Sequence, residues 1–264
     1  MLASAGIPHR LEPAGEGRTL SVPEEQVGRA REALDAFDAE ERAHARPPAT
    51  ADRPVPWVLG IGVGLLLLEG FVVAGPPAAG SRWFERGAAI AGLMRAEPWR
   101  SVTALTLHLD VAHVTGNAVA TAVLLPAVAQ RLGAGAALLL VVLAGAVGNV
   151  LAAMTHAPGH AAVGASTATF AAIGMLGALR LCSGAAVERT RWKSWTVPAA
   201  SLLLLVLLGA GRGADVLAHV TGFVSGAVVG LVAAVIRQPF GPVVQWTLGV
   251  LTAAIVTGCW LRAA

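Results

Sequence analysis

Val163-Gly164-Ala165-Ser166-Thr167-Ala168-Thr169-Phe170 opens an apolar run that continues to Cys182, long enough to cross a bilayer. A serine at the mouth of a membrane helix is ordinary by itself, since most bond their own backbone or let two helices approach closely. Ser166 gains meaning from two other spans. His219 stands at the equivalent depth of a later apolar run, and His108, His113 and Asn117 open an earlier one. Three spans running in the same direction each begin with a side chain suited to catalysis, and polar groups in lipid are costly enough to mark function by default.

The rest of the composition supports a membrane reading. Of 264 residues, 55% are hydrophobic and 13% charged, with a mean hydropathy of +0.67, which a soluble domain of this size would not show. Residues 1–56 carry ten acids and seven arginines, whereas the remainder is net basic. The positive charge therefore belongs to loops flanking a membrane, and nucleic acid is not an expected partner. Cys182 and Cys259, the two cysteines, sit in or beside apolar runs and suggest neither a disulfide framework nor a metal cluster.

Apolar runs fall at about 57–75, 111–130, 132–155, 164–182, 196–210, 216–236 and 243–261, predicting seven spans. The connection over 76–110 holds Trp83, Phe84, Trp99 and four arginines, too polar to cross and too aromatic to float free, so it is expected half-embedded at the interface. With the N-terminus inside, nine basic residues flank the inner face and six the outer, which sets an N-in orientation in the cell (inner) membrane. Asn117, Ser166 and His219 then lie near the outer face.

Ahead of the first span, residues 1–56 read as a cytosolic segment and linker with no signal peptide. Ile7–Leu11 and Arg18–Val22 suggest two short strands around Gly15-Glu16-Gly17, and Ser21 with Glu24 a capping box with Pro23 in the first turn. Val27, Ala30, Leu34 and Phe37 then recur at helical spacing. Leu2–Gly6 can close an earlier helix, so the segment resembles the last part of a small βαββα signal-transducing-type domain; a solvated tail with one amphipathic helix fits equally.

A serine hydroxyl needs a base before it can attack a carbonyl, and neutral histidine is the usual one. Ser166 and His219 can supply that pair. The Ser166 amide, at a helix N-terminus, and the side chains of His113 and Asn117, four apart on one helix face, can donate to an oxyanion. No carboxylate is positioned to orient His219, because Asp215 falls one turn earlier and nearer the loop, so a Ser-His dyad is expected rather than a triad. His156 and His160 read as loop residues. Gly222, Gly226 and Gly230 form a small-residue stripe on the face of His219, the feature that lets membrane helices touch backbones and here would bring His219 to Ser166.

These residues resemble the rhomboid intramembrane serine proteases. The matching stretches are Trp99-Arg100, His108-x4-His113-x3-Asn117, Gly148-Asn149, Gly164-Ala165-Ser166-Thr167 and Ala218-His219-x2-Gly222-x3-Gly226, covering residues 57–236. The resemblance implies an all-α polytopic membrane protein: a six-helix core over 57–236 and an additional transmembrane helix in 237–264. It implies Ser166 as nucleophile, His219 as base, His113, Asn117 and the Ser166 amide as the oxyanion site, and His108 and Gly164 in support. Substrates would be single-pass transmembrane proteins cut near the outer face, with no metal or cofactor required. Two positions depart from the family pattern. Thr167 replaces the usual glycine after the serine, adding bulk beside the oxyanion site, and Ala129-Gln130 stand where the second span often carries a glutamate.

Rival readings are fewer. A catalytically silent relative that binds transmembrane clients would usually lack the serine or the histidine. A transporter would show inverted repeats or charges at mid-membrane. Other intramembrane proteases fail on motif, for the chain has no His-Glu-x-x-His and no adjacent Gly-Asp of the aspartyl type.

Overall fold

A computed structural model of the chain describes residues 2, 5–14, 17–44, 55–182, 215–236 and 240–264. They belong to two compact units, Met1–Asp52 and Arg53–Ala264. The fifth apolar run, 196–210, and the basic connection before it lie outside the described residues.

In the first unit, β1 (Arg10–Ala14) pairs antiparallel with β2 (Gly17–Ser21), Arg10 opposite Ser21. The first strand starts later than the sequence suggests. Gly6 turns at φ +68° and the Ile7 amide returns to the Leu2 carbonyl, so the chain is still in a turn where extension was expected. The capping box does not form. Ser21 is held in the strand pair, and a short 3-10 turn, Glu24–Gln26, begins after Pro23 with no side-chain cap. Helix α1 (Val27–His44) follows. Its Ala30 closes on Leu2 and Ile7, with Leu20, Val22 and Leu34 around them, while Phe37 stays exposed.

The second unit is a helical bundle. Helix α2 (Trp57–Ala74) leads through α3 (Arg82–Gly87), β3 (Ala89–Ile90) and α4 (Arg100–Thr103) to α5 (Val111–Leu132) and α6 (Ala134–Ala153). After β4 (Ala161–Ala162) come α7 (Ser166–Cys182), α8 (Val216–Val235) and α9 (Pro242–Ala263). Helices α2, α5, α6, α8 and α9 are long and apolar enough to cross a membrane, and α7 is a shorter apolar helix. The outward faces are hydrophobic, with Val58, Leu65, Val220, Val224, Val228 and Trp246 exposed, as lipid-facing surfaces must be. The chain is an all-α polytopic membrane protein.

Close approach between these helices rests on glycine. A methyl added at Gly60 would lie 2.5 Å from the Pro126 ring, and one at Gly64 2.9 Å from the Ala118 carbonyl, so α2 docks on α5 where side chains are absent. Between α7 and α8 the contact runs down the predicted stripe. A carbon added at Gly222, Gly226 or Gly230 would strike the carbonyl oxygen of Thr167, Ala171 or Met175 respectively. Both helices present contacts four residues apart, the four-by-four ridge spacing of close helix pairs. Helix α7 lies at the centre, with Ala171 and Met175 fully buried.

The connection between α2 and α5 is a folded unit. Arg100 is buried, its Nε 2.5 Å from a Glu97 carboxylate oxygen and its Nη1 donating to the Ala88 carbonyl at 2.9 Å. Thr103 donates to the Gly87 carbonyl at 2.7 Å, and Asn149 of α6 donates to the Ser101 carbonyl at 2.9 Å. Trp83, from the same connection, meets Trp260 of α9 edge-on at 5.1 Å, and the Trp260 indole donates to Thr106 at 3.2 Å. At the other end of α9, Gln245 accepts from the Ala136 amide at 3.0 Å and donates to the Leu132 carbonyl at 2.9 Å. One side chain thus caps the end of α5 and the start of α6, and α9 is tied to the bundle at both ends.

Candidate active site

Ser166 is the first residue of α7 because the chain turns sharply just before it. Gly164 has φ +128°, a region that side chains rarely adopt. A methyl there would also lie 2.7 Å from His113 Nε2. The Gly164 amide is tied to the Ala104 carbonyl at 2.9 Å, and the Ala165 carbonyl accepts from Thr169 to start the helix. As the opening residue of α7, Ser166 has an amide with no acceptor within its own helix.

Its hydroxyl meets a histidine. Oγ of Ser166 is 2.9 Å from Nε2 of His219, both residues buried. His219 sits in the first turn of α8, and its imidazole lies flat against the Phe170 ring, 4.5 Å between centroids and 21° between planes. Its Nδ1 has no hydrogen-bond partner among the described residues. Asp215 does not reach it, because that carboxylate caps α8 through the Ala218 amide at 3.0 Å and is engaged by other side chains. The glycine stripe accounts for the approach, since α7 and α8 touch backbone to backbone below the pair.

Thr167 directs its methyl at α6 and α8. Carbons added at Gly148 and Gly222 would come within 2.8 and 3.0 Å of that methyl, so the residue that departs from glycine fills a notch made by two other glycines.

Helix α5 supplies the facing wall. Asp110 caps it by accepting from the His113 amide at 2.8 Å. His113 Nδ1 accepts from the Leu109 amide at 3.4 Å, which leaves the proton of the neutral ring on Nε2, the atom facing Gly164. Asn117 is fully buried; its Nδ2 donates to the His113 carbonyl at 3.1 Å and also comes closest to Gly164 after His113. His108 lies in the turn before α5, its ring edge-on to His113 at 5.2 Å. Burial first, and His113 second, lower its pKa to about 3 against an opposing hydrogen bond from Thr106. A neutral ring can accept, and Nε2 of His108 takes the Ala165 amide at 3.3 Å, steadying the peptide just before Ser166. All six residues singled out from the sequence therefore converge: Ser166 and His219 bond directly, and His108, His113, Asn117 and Gly164 border the start of α7.

A cavity of about 800 Å³ opens between α2 and α9 and reaches the start of α7, lined by Val63, Val73, Ala165, Thr169, Thr252 and Trp260 among others; Ser166 and His219 themselves are not in its wall. A second polar cluster escaped the sequence reading. His156 and His160, read as loop residues, hold Asp215 at 3.0 and 2.8 Å. The His-x3-His spacing was its one visible signal, since Asp215 lies 55 residues beyond His160.

Residues 95–236 match the family model for the Rhomboid domain. That span takes in the site residues named above and more than half of the chain. No curated protein matches the chain.

Proposed function

The chain belongs to the rhomboid family, and from that premise we propose that it is an intramembrane serine endopeptidase working through a Ser166–His219 dyad. The observation that carries the reading is the 2.9 Å contact between Ser166 Oγ and His219 Nε2 in a buried setting. Nε2 takes the hydroxyl proton as Oγ attacks the scissile carbonyl carbon. The carbonyl oxygen gains negative charge and meets N–H groups already in position: the Ser166 amide, Nε2–H of His113 and Nδ2–H of Asn117. Such donors act strongly here because Ser166, His219 and Asn117 are buried, where the effective dielectric is low.

The tetrahedral intermediate collapses when His219 returns the proton to the leaving amine, which departs and leaves an acyl-enzyme on Ser166. A water deprotonated by His219 attacks the ester, and the hydroxyl is regenerated. With no carboxylate on Nδ1 among the described residues, the ring is oriented by the Phe170 stack and by the contact with Ser166 itself. His108 acts through the backbone, fixing the Ala165 amide and hence the turn that aims Ser166.

The substrates are single-pass transmembrane proteins, cut near the outer face of the cell membrane, with the N-terminus of this chain cytoplasmic. The depth of Ser166 and His219, each in the first turn of its helix, supports this. Cleavage of a single-pass substrate by the chain in proteoliposomes is the test. Ser166→Ala and His219→Ala should each abolish it while leaving membrane expression intact, because members of a unit that acts together fail nearly completely when removed singly. Near-wild-type cleavage by either variant would overturn the assignment.

A further inference from the structure

The second polar cluster has the composition of a metal site. Nε2 of His156 lies 3.0 Å from one oxygen of Asp215, and Nε2 of His160 lies 2.8 Å from the other. The two imidazoles are stacked, 3.7 Å between centroids and 17° between planes. One donor atom from each of the three residues falls within 4.8 Å of the others. We propose that His156, His160 and Asp215 form a binding site for a borderline divalent cation of the Zn²⁺ type, which joins the α6–α7 connection to the start of α8.

The donors fit that class. Two imidazoles and one carboxylate suit zinc and its neighbours, whereas calcium and magnesium take oxygen ligands. Zinc bonds nitrogen and carboxylate oxygen at about 2.0–2.2 Å, so admitting it takes a small opening of the two histidine–aspartate contacts and a turn of the stacked rings that brings both Nε2 lone pairs onto the ion. The side chains of His156 and His160 are 23% and 35% exposed, which leaves an open position for water, as three-ligand zinc sites keep.

The frame is built before any ion arrives. The His156 amide bonds the Ala152 carbonyl at the end of α6, and the His160 amide bonds the Ala157 carbonyl. The His160 carbonyl takes the Ala91 amide at 3.0 Å, and the Pro158 carbonyl takes the Gly92 amide at 2.8 Å, pinning the loop to the first connection. Asp215 is fixed by its own capping bond, in which Oδ1 accepts from the Ala218 amide at 3.0 Å; the same oxygen meets His156, and Oδ2 meets His160. Rigid donors on two separate elements are what a chelate needs. Because Asp215 immediately precedes the helix carrying His219, the ion would clamp the base of that helix to the loop leading toward Ser166. The site itself stands apart from the protease reading.

The test uses the full-length untagged chain in detergent, stripped with chelator and titrated with zinc chloride alone. Calorimetry should give one Zn²⁺ per chain, saturating at micromolar metal, with a melting point raised by a few degrees through mass action. His156→Gln and His160→Gln should each weaken binding by at least about ten-fold, and the double variant should lose both binding and the thermal shift. Asp215→Asn keeps an equally good helix cap, so it should fold yet bind at least about ten-fold more weakly. All three should melt as wild type without metal, and Ser166→Ala should bind zinc as wild type does. Absence of saturable binding at micromolar zinc, binding that survives in the double glutamine variant, or equal competition by calcium would each overturn the proposal.

Discussion

Substituting Gly226 with alanine adds one carbon at the tightest point between α7 and α8, and the consequences can be worked from the geometry. The new carbon would strike the Ala171 carbonyl oxygen, with the Ala171 carbonyl carbon and Cα 2.5 Å away. These are backbone atoms in the middle of a buried helix and cannot swing aside, so the helices must part. Overpacking of this kind costs about 1–3 kcal/mol, or very roughly 2–10 °C of melting temperature for a bundle of this size. Gly226 is seven residues beyond His219, about 10 Å along the helix at 1.5 Å per residue, so parting there tilts the pair that meets at 2.9 Å. A misplacement of about 1 Å costs roughly 100-fold in rate. Gly226→Ala should therefore insert normally yet react with a serine-directed fluorophosphonate about ten- to 100-fold more slowly and melt lower. Gly226→Leu should do worse. Gly230→Ala should do less, because its nearest atom, the Met175 carbonyl oxygen, would be 2.7 Å away and further from the dyad. Gly62→Ala in α2, where an added carbon meets nothing within 4 Å, should match wild type or gain slightly from helix propensity. If Gly226→Ala reacts at the wild-type rate with an unchanged melting point, the backbone contact does not hold the dyad together.

Asn117→Ala should lower kcat by roughly 10- to 1,000-fold with little change in KM, since an oxyanion donor acts in the transition state; an effect confined to KM, read from steady-state cleavage, would remove Asn117 from that role. Deleting residues 1–50 should spare activity in detergent, because the candidate catalytic residues all fall in the second compact unit; loss of activity from a well-folded truncation would make the tail part of the machine. Acid should destabilise the fold partly through His108. Its pKa is about 3 in the folded chain against about 6.5 unfolded, so the unfolded state binds the extra proton and stability falls as pH drops from the upper value toward the lower. His108→Gln, which can still accept from Ala165, should show a shallower loss of melting temperature across that window, and an unchanged slope would remove His108 as a source.

Legibility in the sequence followed the physics of each signal. Lipid demands long apolar runs, so α2, α5, α6, α8 and α9 could be read with their ends within a few residues. Gly222, Gly226 and Gly230 announced a close helix contact by their spacing, but not that Thr167, Ala171 and Met175 would meet them. Ser166 and His219 were visible because a polar group at a span entrance stands out, whereas their 2.9 Å contact depends on packing. Short-range signals misled in the first unit, where pairing with Arg10 kept Ser21 in a strand and out of the cap. His156 and His160 read as loop residues with no link to Asp215, since only the fold closes the gap between the α6–α7 connection and the head of α8. Asp215 bonds Ala218, His156 and His160, and its two histidine partners have no local signature in the sequence.

The central claim is that Ser166 is a nucleophile activated by His219. Its most direct test is to treat the purified chain with a fluorophosphonate, digest it, and locate the adduct by mass spectrometry. The account predicts one stable adduct, on Ser166, absent in Ser166→Ala and suppressed to near background in His219→Ala. No adduct on the well-folded protein, an adduct on another serine, or labelling of Ser166 at the wild-type rate in His219→Ala would contradict it.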